Sequence, residues 1–129
     1  MITYHSLHHV SLTVTNLERA KAFYSDVLCL KEIDRPDFGF PGAWYEIGEQ
    51  QLHLIVDPSS QTIRKDKHLS SREGHFALRV ESYDKALEWL KDKGVEVLDK
   101  PQSKSGFMQI FCADPDGNLV ELNVEQTKR

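Results

Sequence analysis

Four side chains able to donate to a metal ion recur at repeat-related places in this chain. His9 opens the alternating stretch His9-Val10-Ser11-Leu12-Thr13-Val14, and His75 opens His75-Phe76-Ala77-Leu78-Arg79-Val80 with His, Leu and Val at the same spacing. The two histidines stand 66 positions apart (75 − 9). A second ligand-type residue follows inside an apolar strand of each copy: His53 between Leu52 and Leu54, and Glu121 between Val120 and Leu122. The separations within the copies are 44 (53 − 9) and 46 (121 − 75). Imidazole and carboxylate donors suit Zn, Ni, Mn, Fe or Co, and the sequence does not choose among them. A duplicated unit whose halves bring the four together would build one divalent metal site. Glu121 is costly to bury unpaired, so a cation is the economical partner for it.

The elements that must position these residues follow from periodicity. Residues 7–14 alternate as a strand, with Val10, Leu12 and Val14 on one face and His9, Ser11 and Thr13 on the other. Thr15 with Glu18 predicts a capping box, and Leu17, Ala20, Phe23, Tyr24, Val27 and Leu28 predict the apolar side of a helix. In the second copy Ser82 is the expected N-cap, Ala86, Leu87, Trp89 and Leu90 the expected packed face, and Gly94 the expected helix end. Three short strands are expected after each helix: about 31–35, 43–47 and 51–56, then 95–99, 107–112 and 119–124. Asp114-Pro115-Asp116-Gly117 predicts a turn before the last strand. The expected fold class is α+β, two repeated βαβββ modules forming a cupped mixed sheet. Module one covers about 5–57, module two about 74–125, and a polar connector with a helical turn near its middle spans 58–73, all within one domain, 1–129. Because an amphipathic helix covers the apolar face of each opening strand, all four candidate ligands fall on the opposite, inward face.

Composition sets outer limits. A chain of 129 residues, 40% hydrophobic and 28% charged, is ordinary for a globular domain with a real core. A net charge of −4 argues against nucleic-acid or anionic-membrane partners, and no apolar run is long enough to span a membrane. Cys29 and Cys112 form no CxxC pattern and fit a reducing, cytoplasmic setting as buried small hydrophobes. His5 and His68 are expected in solvent, and His8 on the helix side or a rim. Trp44, Phe38, Phe40 and Phe107 are candidates to hold an apolar part of a small-molecule substrate, and Arg79 an anionic part.

Taken together, His9 to Leu17, Ala22 to Leu28, Gly74 to Val80 and Asp114 to Leu122 resemble the vicinal oxygen chelate superfamily. That superfamily includes glyoxalase I, fosfomycin-resistance thiol transferases, extradiol dioxygenases, methylmalonyl-CoA epimerases and bleomycin-binding proteins. The resemblance implies a glyoxalase-like fold, a homodimer, and a metal held by His9, His53, His75 and Glu121. It also implies chemistry in which vicinal oxygens of a small substrate replace waters on the metal, with Glu121 moving a proton to and from an enediolate. Two departures stand out. His53 falls where glyoxalase I usually has Glu, which leaves a local charge near +1 on a divalent site. Thr13 stands where an Arg grips the glutathione carboxylate, although Arg79 occupies the equivalent place in the second copy. The leading expectation is a metal-dependent lyase or isomerase of glyoxalase type. The alternatives are a fosfomycin-type thiol transferase, suggested by Gly42 to Gly48, an extradiol dioxygenase, or a non-catalytic drug- or metabolite-binding protein. Directly after Glu121 stand Leu122, Asn123 and Val124, where a basic residue to grip a phosphonate would be expected.

Overall fold

Each copy of the repeat folds as the expected β-α-β-β-β unit in a computed structural model, which describes residues 1–64 and 66–126. The units span Met1–Ile63 and Arg64–Arg129. The first holds β1 (His9–Val14), α1 (Leu17–Lys21) continuing into a π-helical segment (Ala22–Val27), β2 (Lys31–Ile33), β3 (Gly42–Ile47) and β4 (Gln50–Val56). The second holds β5 (His75–Arg79), α2 (Tyr83–Asp92), β6 (Leu98–Lys100), β7 (Phe107–Ala113) and β8 (Leu119–Glu125). The sheet orders correspond, β1-β4-β3-β2 and β5-β8-β7-β6. In each the opening strand runs parallel to the last and the other neighbours are antiparallel. Both are mixed four-stranded sheets.

The packed faces are those that the alternation predicts. Val14, Ala43, Tyr45, Leu52 and Leu54 are buried on the first sheet, with Ala20, Phe23 and Tyr24 from the helix beside it. On the second sheet Met108, Ile110, Cys112, Val120, Leu122 and Val124 are buried with Tyr83 and Leu90 of α2. Each large apolar side chain buried in this way contributes roughly 1.5–3 kcal/mol. The Tyr45 hydroxyl is satisfied by Ser25 at 2.8 Å, and burial raises its pKa.

Several local expectations change. The N-cap of α1 is Asn16, not Thr15: its side chain accepts from the Arg19 amide, three residues on, while the Thr15 hydroxyl accepts from the Arg19 guanidinium. Ser82 caps α2 as expected, through the Lys85 amide. β2 ends at Ile33 because the chain then reaches Pro36, which has no N–H to give a ladder. β6 starts late because Val95 still donates to Leu90 O in the closing turn of α2, with Gly94 at φ +73°. Trp89 is 42% exposed rather than packed: Tyr83 and Leu90 carry the buried stripe, and the Trp89 ring instead receives the Lys93 ammonium at 4.7 Å. Cys29 is exposed rather than buried and holds φ +61°, the left-handed conformation that its place at the helix end demands. Cys112 is buried, and desolvation pushes its thiol up to about 12. Among the described residues the connector contains turns and no helix. The Asp114 to Gly117 turn is confirmed. Asp114 Oδ1 accepts from the Asp116 and Asn118 amides, and a methyl group on Gly117 would strike the Arg64 carbonyl. No helix among the described residues is long and apolar enough to cross a membrane.

Candidate metal centre

Strand register explains why the ligand-type residues pair within each copy. His9 stands opposite Gln51 on the parallel neighbour, two residues before His53. His75 stands opposite Leu119, again two residues before Glu121. The differing in-copy separations therefore lie in loops, and the pair geometry is the same. Residues two apart share a face, and diagonal neighbours on adjacent strands lie within side-chain reach. An aromatic residue faces each inner ligand from the antiparallel side: Trp44 opposite His53 and Phe111 opposite Glu121.

In the first unit the pair is held by stacking. The His53 ring lies against His9 at 4.1 Å and 17° on one side and against Trp44 at 4.1 Å and 6° on the other. This sandwich leaves His53 only 8% exposed. Its Nε2 meets Gln51 Oε1 at 2.8 Å. His8 is exposed, as a rim position would be, and its Nδ1 lies 2.8 Å from His9 Nδ1 and bonds to it. That bond occupies one His9 nitrogen and leaves Nε2 as the other donor. Burial first, and then the charges of His9, His8 and Arg35, lower the pKa of His53. The ring is thereby kept neutral, which is the state that coordinates a metal.

The second unit holds its pair by hydrogen bonds. His75 Nδ1 lies 2.8 Å from the Glu73 carbonyl, so Nδ1 must carry the proton that is donated there. Its Nε2 then faces Glu121 Oε1 at 3.1 Å. A neutral imidazole of that tautomer and a carboxylate present lone pairs to each other. The contact is reconciled by a proton shared between the two atoms or by a cation held by both. A spacing near 3 Å is also what two ligands bonded at about 2.1 Å to one ion would show. Glu121 is 4% exposed, and its other oxygen accepts from Asn123 Nδ2 at 2.7 Å. Asn123 Oδ1 in turn accepts from Arg79 Nε at 2.7 Å, which fixes the amide orientation. Arg79 also lies 3.5 Å from Glu125 and 5.1 Å from the Phe107 ring. Arg79 and Phe107 thus sit together at one end of this face, and Arg79 is engaged in orienting Asn123. Phe111, fully buried, meets His75 edge-on at 5.2 Å.

Among the described residues no three His, Cys, Asp or Glu side chains are gathered as a metal-holding group. The four predicted ligands stand as two pairs, one in each unit. The donor chemistry of each pair fits a borderline divalent ion: neutral imidazoles on one side, an imidazole and a buried carboxylate on the other. Four supporting groups were absent from the sequence reading: Gln51, His8, the Glu73 carbonyl and Asn123. Gln51 and Asn123 had a signal, since each lies two residues from a ligand on the same strand face. His8 and Glu73 had none, because ring orientation and main-chain bonds leave no pattern in the sequence.

A twice-used βαβββ unit, each copy opening its first strand with His and presenting a second donor two register steps away, defines the vicinal oxygen chelate class. The chain belongs to the Glyoxalase/Bleomycin resistance protein/Dioxygenase superfamily, whose sequence profile matches residues 6–122. It is 27% identical over 121 residues to the lactoylglutathione lyase of Salmonella typhimurium, covering 90% of each chain. It is 24% identical over 119 residues to the metallothiol transferase FosB of Staphylococcus saprophyticus, covering 92% of this chain and 76% of that one. Among solved structures, a glyoxalase family protein from Bacillus anthracis superposes with a TM-score of 0.80 at 26% identity, covering 97% and 99% of the two chains.

Proposed function

We propose that this protein is a metal-dependent lyase or isomerase of glyoxalase type, acting as a homodimer on a small substrate with two vicinal oxygens. His9, His53, His75 and Glu121 would hold one divalent ion, and Glu121 would serve as the proton-transferring base. The observation that carries the reading is the His75–Glu121 contact, whose facing lone pairs a shared cation would reconcile. The relationship to lactoylglutathione lyases supports the reaction class.

The bound ion would supply Lewis acidity, stabilising negative charge on substrate oxygens. The protein's own residues do the rest. Glu73 O and His8 fix the rings of His75 and His9, so that little is lost in ordering them. Asn123, locked by Arg79, holds Glu121 by Oε2, so that Oε1, 3.1 Å from His75 Nε2, would be the oxygen turned to the ion. Trp44 walls one side of the His53 ring and excludes water from it.

Turnover of a hemithioacetal by the full-length protein, abolished by a chelator and restored by one of Zn, Ni, Mn, Fe or Co, is the expected result. Full activity after chelation overturns the metal-dependent mechanism. The likeness to a metallothiol transferase favours one second reading, thiol addition to fosfomycin. Protection of cells exposed to that antibiotic would establish it.

A further inference from the structure

The connection between β2 and β3 builds a feature that the metal pairs do not use. Arg35 lies over Gly42 so closely that a Cβ there would come within 2.7 Å of its Nε and 2.8 Å of its Cζ. Gly42 is therefore the floor on which the guanidinium rests. The same Cβ would strike the Leu54 carbonyl, so no other residue fits. The guanidinium also rests against two rings, with Cζ 4.8 Å from Phe38 and 5.1 Å from Phe40. In this cradle the Arg35 Nε is buried without a hydrogen-bond acceptor. NH1 has only a 3.5 Å contact with the Pro36 carbonyl. A cleft of about 640 Å3 opens here, lined by Arg35, Phe40, Glu32, Asp34 and Asp37 among others.

We propose that this cleft is a subsite for the carboxylate of a monoanionic ligand with an apolar or aromatic body, Arg35 taking the carboxylate and Phe40, with Phe38 stacked beside it outside the lining, the body. As the anchoring end of a substrate it rests on the glyoxalase-type reading; as a binding site it does not need the metal. Three observations carry it. The buried Nε cannot itself meet a ligand, but among the described residues the terminal nitrogens of Arg35 make only a 3.5 Å contact with the Pro36 carbonyl and keep donor capacity, for which a carboxylate is the strongest acceptor. Phe38 and Phe40 are 50% and 44% exposed, a large apolar area for a surface loop to leave uncovered. The rings also continue toward the metal pair: Phe38 lies 6.1 Å from Trp44, which stacks on His53, which stacks on His9. A ligand anchored at Arg35 and lying along this wall has its far end beside the two histidines.

The charge of the cleft selects the kind of anion. Glu32 is neutralised by Lys21 at 3.2 Å, and Asp37 Oδ1 is occupied by the Gly39 amide. Asp34 and Asp37 nevertheless keep negative charge around a single guanidinium. With Arg35 set against Asp34 and Asp37 the lining keeps a net negative charge, so any anion meets repulsion, and a phosphate or phosphonate dianion meets about twice that of a carboxylate. The subsite therefore disfavours a phosphonate such as fosfomycin and favours an organic acid.

The test uses the full-length protein after chelator treatment, titrated with phenylacetate, phenylacetamide and phenylphosphonate by ligand-observed NMR and tryptophan fluorescence. Phenylacetate is expected to bind about tenfold or more tightly than its neutral amide, and more tightly than the phosphonate. Arg35→Gln is expected to erase the acid-over-amide preference while the amide still binds. Equal binding of acid and amide to the wild-type protein overturns the proposal, as does a preference surviving Arg35→Gln. Tighter binding of the phosphonate overturns the monoanion assignment. Should Arg35→Gln not fold, the wild-type acid-to-amide ratio decides alone. Because no metal is present in the titration, loss of selectivity in a protein that still binds metal counts against the subsite only, and retained selectivity in one that binds none counts against the metal reading only.

Discussion

The two copies of the repeat hold equivalent pairs by different physics. Both set the outer candidate ligand on the opening strand, the inner candidate two register steps along the parallel neighbour, and an aromatic ring across from it. In the first copy the inner residue is an imidazole sandwiched between rings, and its pKa is lowered chiefly by burial. In the second it is a carboxylate tied through Asn123 to Arg79. Duplication thus fixes where a side chain points, while the residue chosen there decides whether stacking or hydrogen bonding must support it. A neutral ring can be buried by packing with one hydrogen bond, which His53 makes to Gln51. A carboxylate cannot, and the second copy carries a polar chain where the first carries an aromatic one.

Changes at matching positions sharpen that contrast. The largest effect is expected from Phe111→Ala, which empties a fully buried site beside His75 and should cost about 3–5 kcal/mol in urea unfolding. Trp44→Ala, at the matching but partly exposed position, should cost less. Equal losses would show that the two rings are not differently embedded. Next comes Asn123→Ala, expected to weaken metal binding about 10- to 100-fold with little change in fold, because it frees Glu121 without removing it. An unchanged affinity, measured by competition with a chelating dye, would remove Asn123 from the account.

A third effect concerns pH. The pKa of His53 is lowered in the folded state, so below its ordinary value near 6.5 the unfolded chain binds a proton that the folded chain resists. The stability associated with His53 is full above that pH and is lost as the pH falls. His53→Gln should flatten this part of the stability curve of the metal-free protein. A curve unchanged by the substitution would mean that the stacked ring does not titrate as described. The smallest effect is expected at the end of the first helix. Cys29→Gly relieves a left-handed backbone and should stabilise the protein by up to about 1 kcal/mol, read as a rise in Tm. A fall in Tm would show that the exposed thiol contributes more than the strain costs.

Much of this was legible in the sequence because period two is a strong signal. The alternation around His9, His53, His75 and Glu121 gave the strands, their faces and the module order. The Asp114 to Gly117 turn and the Ser82 cap could be read from residue type. The illegible parts have two causes. Trp89, Cys29 and the Asn16 cap depend on a rotation of one residue about a helix end, which apolar periodicity does not resolve. The Arg35 cradle depends on a glycine at a strand start and on two phenylalanines in a loop, and nothing in their spacing shows that a guanidinium will lie among them.

The central claim, that the two pairs serve one ion, is tested most directly by metal content. Full-length protein loaded with each candidate metal and dialysed should retain about one divalent ion per chain by mass spectrometry, and both His9→Ala and Glu121→Gln should lose it. Loss in both variants, from residues in different units, is the predicted result. Retention of the ion by either variant, or failure of the wild-type protein to hold any of the five metals, would contradict it.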